Sequence, residues 1–219
     1  MTEYPRVDER FRMVERQIAA RGIHNPRILS VLRQVPRHVF IPQPYDQSAY
    51  DDNPLPIGNG QTISQPYIVA LMTDLLDPQP EDRILEIGAG SGYQAAILAS
   101  LAARVITIER IPAVADLARS NLEMLGIGNA TVIVGDGTLG HPADSPYNGI
   151  IITAATPEIP KPLLDQLDDG GQLVAPVGDR EIQELVRIEK TGGRFVEKRY
   201  GSVRFVPLIG AYGWEEGNA

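Results

Sequence analysis

The chain is most constrained at Ile84-Leu85-Glu86-Ile87-Gly88-Ala89-Gly90-Ser91-Gly92-Tyr93, where an apolar run passes through three alternate glycines into a helical pattern. A short apolar run bounded by turn residues reads as a buried strand. Glycine is the residue that reverses the chain tightly at its end and lets the backbone approach a ligand. A strand that feeds a helix in this way opens a βαβ unit, so the chain is expected to form a mostly parallel sheet with crossover helices. The helix start adds unpaired N–H groups and positive dipole, which suit an anionic group of a nucleotide-like cofactor. Spacing narrows the choice. A dinucleotide pyrophosphate calls for G-x-G-x-x-G, and here the third glycine comes one residue early.

The pattern around this turn agrees with it. Apolar runs at 83–87, 105–108, 131–134, 149–153 and 172–176 alternate with helical patterns at 65–76, 94–101, 112–125 and 161–167. The expected fold is therefore a doubly wound α/β sheet with helices on both faces. The segments 182–188 and 194–200 alternate around Thr191-Gly192-Gly193 and predict an antiparallel hairpin at the end of the sheet. Ahead of the sheet, Val7, Phe11, Val14 and Ile18 recur at helical spacing, and a second helix starts at Asn25-Pro26. Residues 35–65 are rich in Pro, Gly, Asn and Asp and read as a long irregular segment, of the kind that usually carries function. The 219 residues suit a single domain. Within it, residues 1–77 form a helical and substrate-loop region, and 78–219 form the cofactor-binding core. The polar end of the chain, from Trp214, is expected to fray.

Two more polar features fall at predicted strand ends. Glu109 follows the second sheet strand, 21 residues after Gly88, where a carboxylate can accept both hydroxyls of a ribose. Asp136-Gly137 follows the third, where the aspartate can meet an adenine amine. Strand carboxyl ends share one crevice in such a sheet, the expected ligand position.

Composition excludes several classes. With no Cys there is no disulfide, thiolate metal site or thiol nucleophile, which fits a reducing compartment, and the protein is expected to be cytoplasmic. No apolar run approaches the roughly 20 residues of a membrane span, so no membrane is expected. Net charge is −8, poor for binding nucleic acid phosphates. That charge is uneven. Residues 1–44 hold eight Arg and four acids, for +4, against −12 in the remainder. The basic layer is either the solvated faces of two helices or a surface that favours an acidic substrate. On residues alone the turn marks a nucleotide-like cofactor site, in an enzyme or in a non-catalytic binding module, with a nicotinamide dehydrogenase disfavoured by the glycine spacing.

The blocks VPRHVFIP at 35–42, PLPIGNGQTISQPYIVALM at 54–72, LEIGAGSGYQAAILA at 85–99, GDG at 135–137, GGQLVAPVG at 170–178 and FVPLIG at 205–210 resemble the protein-L-isoaspartate O-methyltransferase family. The resemblance covers nearly the whole chain. It implies a Rossmann-like methyltransferase sheet, S-adenosyl-L-methionine as methyl donor, no metal, and a monomer acting on isoaspartyl peptides and proteins. The free carboxylate of an L-isoaspartyl residue is methylated, and the ester closes to a succinimide. By the same resemblance Ser64 is the active-site residue, and Thr62, Ser64 and Val206 hold substrate. Glu86, Gly88, Gly90, Glu109, Asp136 and Gly137 hold the cofactor. Some relatives carry His where this chain has Val69, so any cofactor contact of that His is lost here.

The chemistry agrees with a carboxylate acceptor. Such a group is ionised at neutral pH and needs no general base, whereas a hydroxyl or amine acceptor usually requires a base or a metal. The three His (His24, His38, His141) all lie outside the glycine block. Ser64 lacks the G-x-S-x-G context of a nucleophilic serine and is read as a hydrogen-bond donor, with capping of the helix at Pro66 as its structural alternative. Arg37 is a candidate contact for a substrate carboxylate or a structural salt bridge; His38 is expected to pack its turn and Tyr93 to anchor the helix start.

Overall fold

A computed structural model describes residues 4–217. In chain order its elements are α1 (Val7–Met13), α2 (Pro26–Gln34), β1 (Leu55–Gly58), β2 (Gln61–Ile63), α3 (Pro66–Leu76), β3 (Arg83–Ile87), α4 (Tyr93–Ala99), β4 (Arg104–Glu109), α5 (Pro112–Met124), β5 (Ala130–Val134), β6 (Tyr147–Ile152), α6 (Lys161–Gln166), β7 (Leu167–Gly178), β8 (Gln183–Thr191) and β9 (Arg194–Val203). Seven strands form one sheet in the order β5-β4-β3-β6-β7-β8-β9. The first five are parallel, with Ile87 opposite Ile108 on one side and Ile152 on the other. β8 and β9 extend the sheet antiparallel, as the Gly192-Gly193 turn predicts.

The central strands are apolar throughout because both sheet faces are covered. On one face Ile84, Val105, Ile151 and Val174 pack with Met72 and Leu76 of α3 and Leu98 of α4. On the other, Leu85, Ile106, Ile150 and Leu173 pack with Leu163 of α6. Each such fully buried side chain contributes about 1.5–3 kcal/mol. The N-terminal layer shares this interior: Met13, Ile18 and Leu32 join one cluster with Tyr93, Ile97 and Leu122.

Three local expectations change. The first helical run loses α-geometry after Met13, widening to a π-type turn over Val14–Ile18 and tightening over Ala19–Arg21 before Gly22 ends it at φ +96°. The irregular segment contains an antiparallel hairpin, β1 on β2, turned by Gly58-Asn59-Gly60, all at positive φ. Its Asn-Gly turn is a strong hairpin signal, obscured by strands of only four and three residues, one with a proline. The C-terminal segment is tied down through Trp214, whose N–H donates to Leu208 (2.7 Å) and whose carbonyl accepts from Gly210 (3.2 Å).

Most N-terminal arginines are bonded within this layer or to the core beneath it. Arg6, Arg21 and Arg33 pair with Glu9, Asp52 and Glu15. Arg10 and Arg27 donate to the carbonyls of Arg33 and Leu101. Arg37 is fully buried, donates to the Ala49 carbonyl at 2.8 Å and lies over the Tyr93 ring, and burial pushes its pKa down to about 10. It is sealed from any substrate. His38 packs its own turn against the Tyr50 hydroxyl at 2.6 Å.

Candidate active site

The carboxyl ends of β3, β4 and β6, the start of α3 and the segment 206–209 enclose an open cleft of about 930 Å³, mouth included. Of the sequence-selected residues, Thr62, Ser64, Glu86, Gly88, Gly90, Glu109, Gly137 and Val206 line it, and Val69 contributes an apolar wall. The glycine turn is built as the sequence requires. Gly88, Gly90 and Gly92 have φ of +98°, +53° and +88°. A Cβ on Gly88 would lie 2.6 Å from the Thr153 hydroxyl, and one on Gly137 would lie 2.4 Å from Ile87 Cγ2.

The turn's amides, however, are already used. Gly88 and Ala89 N–H donate to the Ile108 carbonyl, Gly92 N–H to Ala89, and Gly90 N–H to Glu109 Oε2 at 3.1 Å. Glu109 Oε1 accepts from Ile111 N–H at 3.0 Å. The expected display of free N–H groups toward an anion is therefore absent at these positions. The cleft instead presents carboxylates. Glu86 is fully buried, and apart from the Thr107 hydroxyl beside it no group of the chain serves either oxygen as a hydrogen-bond donor. Burial pushes its pKa up to about 8, with Thr107 opposing and the Glu109 charge adding to the rise. A buried acceptor left open in this way is costly unless a ligand supplies the donor. The site fits a ligand that carries cations and hydroxyls, not a pyrophosphate.

Asp136 adjoins the cleft through Gly137, and its carboxylate has partners within the chain. Its Oδ1 accepts from Thr138 N–H (2.9 Å) and hydroxyl (2.7 Å), and its Oδ2 from Ala211 N–H (2.8 Å). It buttons the C-terminal segment onto β5's exit, and Gly137 lines the ligand space. Sequence reasoning missed Thr153, whose hydroxyl donates to the carbonyls of Ile87 (2.9 Å) and Gly88 (2.7 Å) and fixes the entry to the turn.

Ser64 does not cap α3. Gln65 holds the cap position, and the carboxylate of Asp52 takes the capping role from a distance, its Oδ1 accepting from Tyr67 N–H at 3.1 Å. Asp52 Oδ2 also accepts from Gln65 Nε2 (2.6 Å) and Arg21 (2.7 Å), and Arg21 stacks on Tyr67 at 3.3 Å. One carboxylate thus latches the N-terminal layer to the start of α3, and no protein group in the described residues holds the Ser64 hydroxyl. Beyond Ser64 lies a second cavity of about 1080 Å³, mouth included; Thr62, Ser64, Thr153 and Val206 line both. These four residues form the partition between two ligand spaces.

A glycine turn opening a crossover helix, an acid at the end of the next strand, and a cleft over that edge define the Rossmann-like methyltransferase class. The model of the family "Protein-L-isoaspartate(D-aspartate) O-methyltransferase" matches residues 8–213. A protein-L-isoaspartate O-methyltransferase from Methanoregula boonei is 65% identical over 98% of this chain and 99% of its own length. One from Methanospirillum hungatei is 62% identical over 96% and 98%. Among solved structures, a protein-L-isoaspartate O-methyltransferase superposes with a TM-score of 0.83 at 28% identity, over 94% of this chain and 67% of that one. A Plasmodium falciparum structure described as such an enzyme in complex with S-adenosyl-L-homocysteine gives 0.79 at 26% identity, over 91% and 98%. The chain belongs to the protein-L-isoaspartate(D-aspartate) O-methyltransferase family.

Proposed function

We propose that this protein transfers the methyl group of S-adenosyl-L-methionine to the free carboxylate of L-isoaspartyl residues, giving an ester that closes to a succinimide. The observation that carries the cofactor reading is the orphaned carboxyl of Glu86 beside the glycine turn. When bound, the cofactor supplies an electrophilic methyl carbon on a sulfonium. Glu86 would accept from its ammonium group, and Glu109 retains lone pairs for the ribose hydroxyls. Gly88, Gly90 and Gly137 keep the wall free of side chains, and Asp136-Gly137 would border the adenine side, Gly137 lining the cleft and Asp136 held in place by Ala211 N–H.

At the partition, Ser64 and Thr62 hold the acceptor carboxylate and Val206 bounds it from the other side. An anion attacking a cation disperses charge in the transition state, so a fixed cation at the acceptor would favour the ground state and slow the step. A neutral hydroxyl binds and orients without that cost, and in-line orientation alone is worth several kcal/mol, on the order of 7–11 in the best cases. The sealed position of Arg37 is consistent with this.

Among the described residues no helix is long and apolar enough to cross a membrane, and no group of His, Cys, Asp and Glu is arranged to hold a metal. We read the protein as a cytoplasmic monomer that acts on damaged peptides and proteins and not on nucleic acid, with residues 1–77 and 78–219 working as one domain. Paired peptides differing only in an aspartyl or isoaspartyl linkage, incubated with labelled S-adenosyl-L-methionine, test the reading. Label is expected on the isoaspartyl peptide alone. Equal labelling of both, or cofactor binding with no methylation, would overturn it.

A further inference from the structure

The second cavity has a constructed far wall. Asp179 Oδ1 accepts from the N–H groups of Glu181 and Ile182, both at 2.8 Å, and fixes the turn between β7 and β8. Gln183, at the start of β8, is buried and ties the β7–β8 turn to the segment after β9, its Nε2 donating to the Asp179 carbonyl (2.6 Å) and its Oε1 accepting from Phe205 N–H (2.9 Å). The product of this bracing is unusual for a solvated turn. Ile182 is held at the cavity with 57% of its surface exposed, across a space also lined by Pro54, Ile68 and Phe205. An isolated exposed isoleucine needs no explanation. One pinned opposite Pro54, Ile68 and Phe205, at the rim of a cavity that continues into the partition at Ser64, does.

We infer that this outer cavity is a side-chain subsite for an apolar residue flanking the isoaspartate, with Ile182 as its specificity-determining wall. The inference rests on the acceptor assignment above: with the carboxylate at Ser64, the adjoining residue of an extended peptide lies within one residue spacing, about 3.3 Å, of the cavity. Apolar burial there discriminates by area removed from water, while Arg204 and Glu181, of opposite sign in the same cavity, give no net preference for a flanking charge.

The test uses isoaspartyl peptides with glycine on both sides, or with leucine before or after the isoaspartate. The wild-type protein is expected to favour one leucine peptide over the glycine peptide by roughly tenfold in kcat/KM, about 1.4 kcal/mol, mostly through KM. Ile182→Ala is expected to shrink that ratio to about threefold or less, and Ile182→Leu to restore it. Ile182 is exposed, so neither variant threatens the fold. Equal kcat/KM for the three peptides in the wild type, or a ratio unchanged in Ile182→Ala, overturns the subsite alone. No methylation of any isoaspartyl peptide overturns the acceptor assignment, and the subsite with it.

Discussion

The two walls of the proposed active site are built by different means. The cofactor wall is made of strand ends: Glu86, Gly88 and Glu109 stand at the carboxyl edges of β3 and β4, whose Ile87 and Ile108 are sealed on both faces. Its geometry is inherited from the sheet. The acceptor wall at Thr62 and Ser64 lies outside the sheet, on the β1–β2 hairpin and the approach to α3; Ile57 and Ile63 pack the hairpin into the N-terminal core cluster, and polar bonds from Asp52, Gln65 and Arg21 fix the approach to α3. A wall inherited from the sheet fails through steric change, and one that adds a few polar bonds to its packing fails also through loss of a single partner.

That contrast predicts an ordered set of effects. Gly88→Ala puts a Cβ at φ +98° and 2.6 Å from the Thr153 hydroxyl, and is expected to weaken S-adenosyl-L-homocysteine binding by about a hundredfold or more. Calorimetry showing wild-type affinity would mean that the turn is not the cofactor wall. Ser64→Ala is expected to lower kcat by about 10- to 100-fold, the worth of a hydrogen bond to a charged group, while cofactor affinity stays within about twofold, as expected for a contact made to the acceptor alone. A matching loss of cofactor affinity would place Ser64 on the wrong wall. Asp52→Ala removes the remote cap of α3, and about tenfold in kcat/KM is expected with a stability loss of about 1 kcal/mol. Asp52→Asn should recover part of both. Kinetics unchanged in Asp52→Ala would show that Ser64 is positioned by packing alone.

The smallest effect is a pH dependence. Burial raises the Glu86 pKa from 4.5 to about 8, so the folded, unliganded protein holds a proton there that the unfolded chain releases. This contribution to stability is fully present below 4.5 and is lost as pH rises toward about 8. Ligand binding that pairs an ammonium with the carboxylate must expel the same proton. S-adenosyl-L-homocysteine affinity is therefore expected to tighten by up to about tenfold between pH 6.5 and 8, and Glu86→Gln should flatten both profiles. A dissociation constant independent of pH in the wild type would show that Glu86 stays neutral in the complex.

The same contrast explains what could be read from the chain. The sheet was legible because its signals are local: ILEIGAGSGY carries strand, turn and helix in ten residues, and VITIE places the acid at its strand end. The anchoring of Trp214 under Arg180, and the bond from Ala211 N–H to Asp136, 75 positions away, are not legible because those partners are remote in the chain. Ser64 was identified by resemblance, but that it is released from capping could not be read, since Asp52 lies outside any local capping pattern. Thr153 offered no signal at all; a threonine after a buried strand is ordinary, and only its two carbonyl partners give it meaning.

The button at Asp136 has a thermodynamic consequence. The segment from Val206 to Ile209 borders the cofactor cleft, its first residue also bounds the acceptor cavity, and Asp136 and Thr138 anchor the stretch that follows through Ala211 and Tyr212. Because these bonds hold the strap in place with no ligand present, the entropy of ordering it is spent on folding and not on binding. Neither ligand then has to order that wall when it arrives, which is preorganisation supplied by a carboxylate that need touch neither of them.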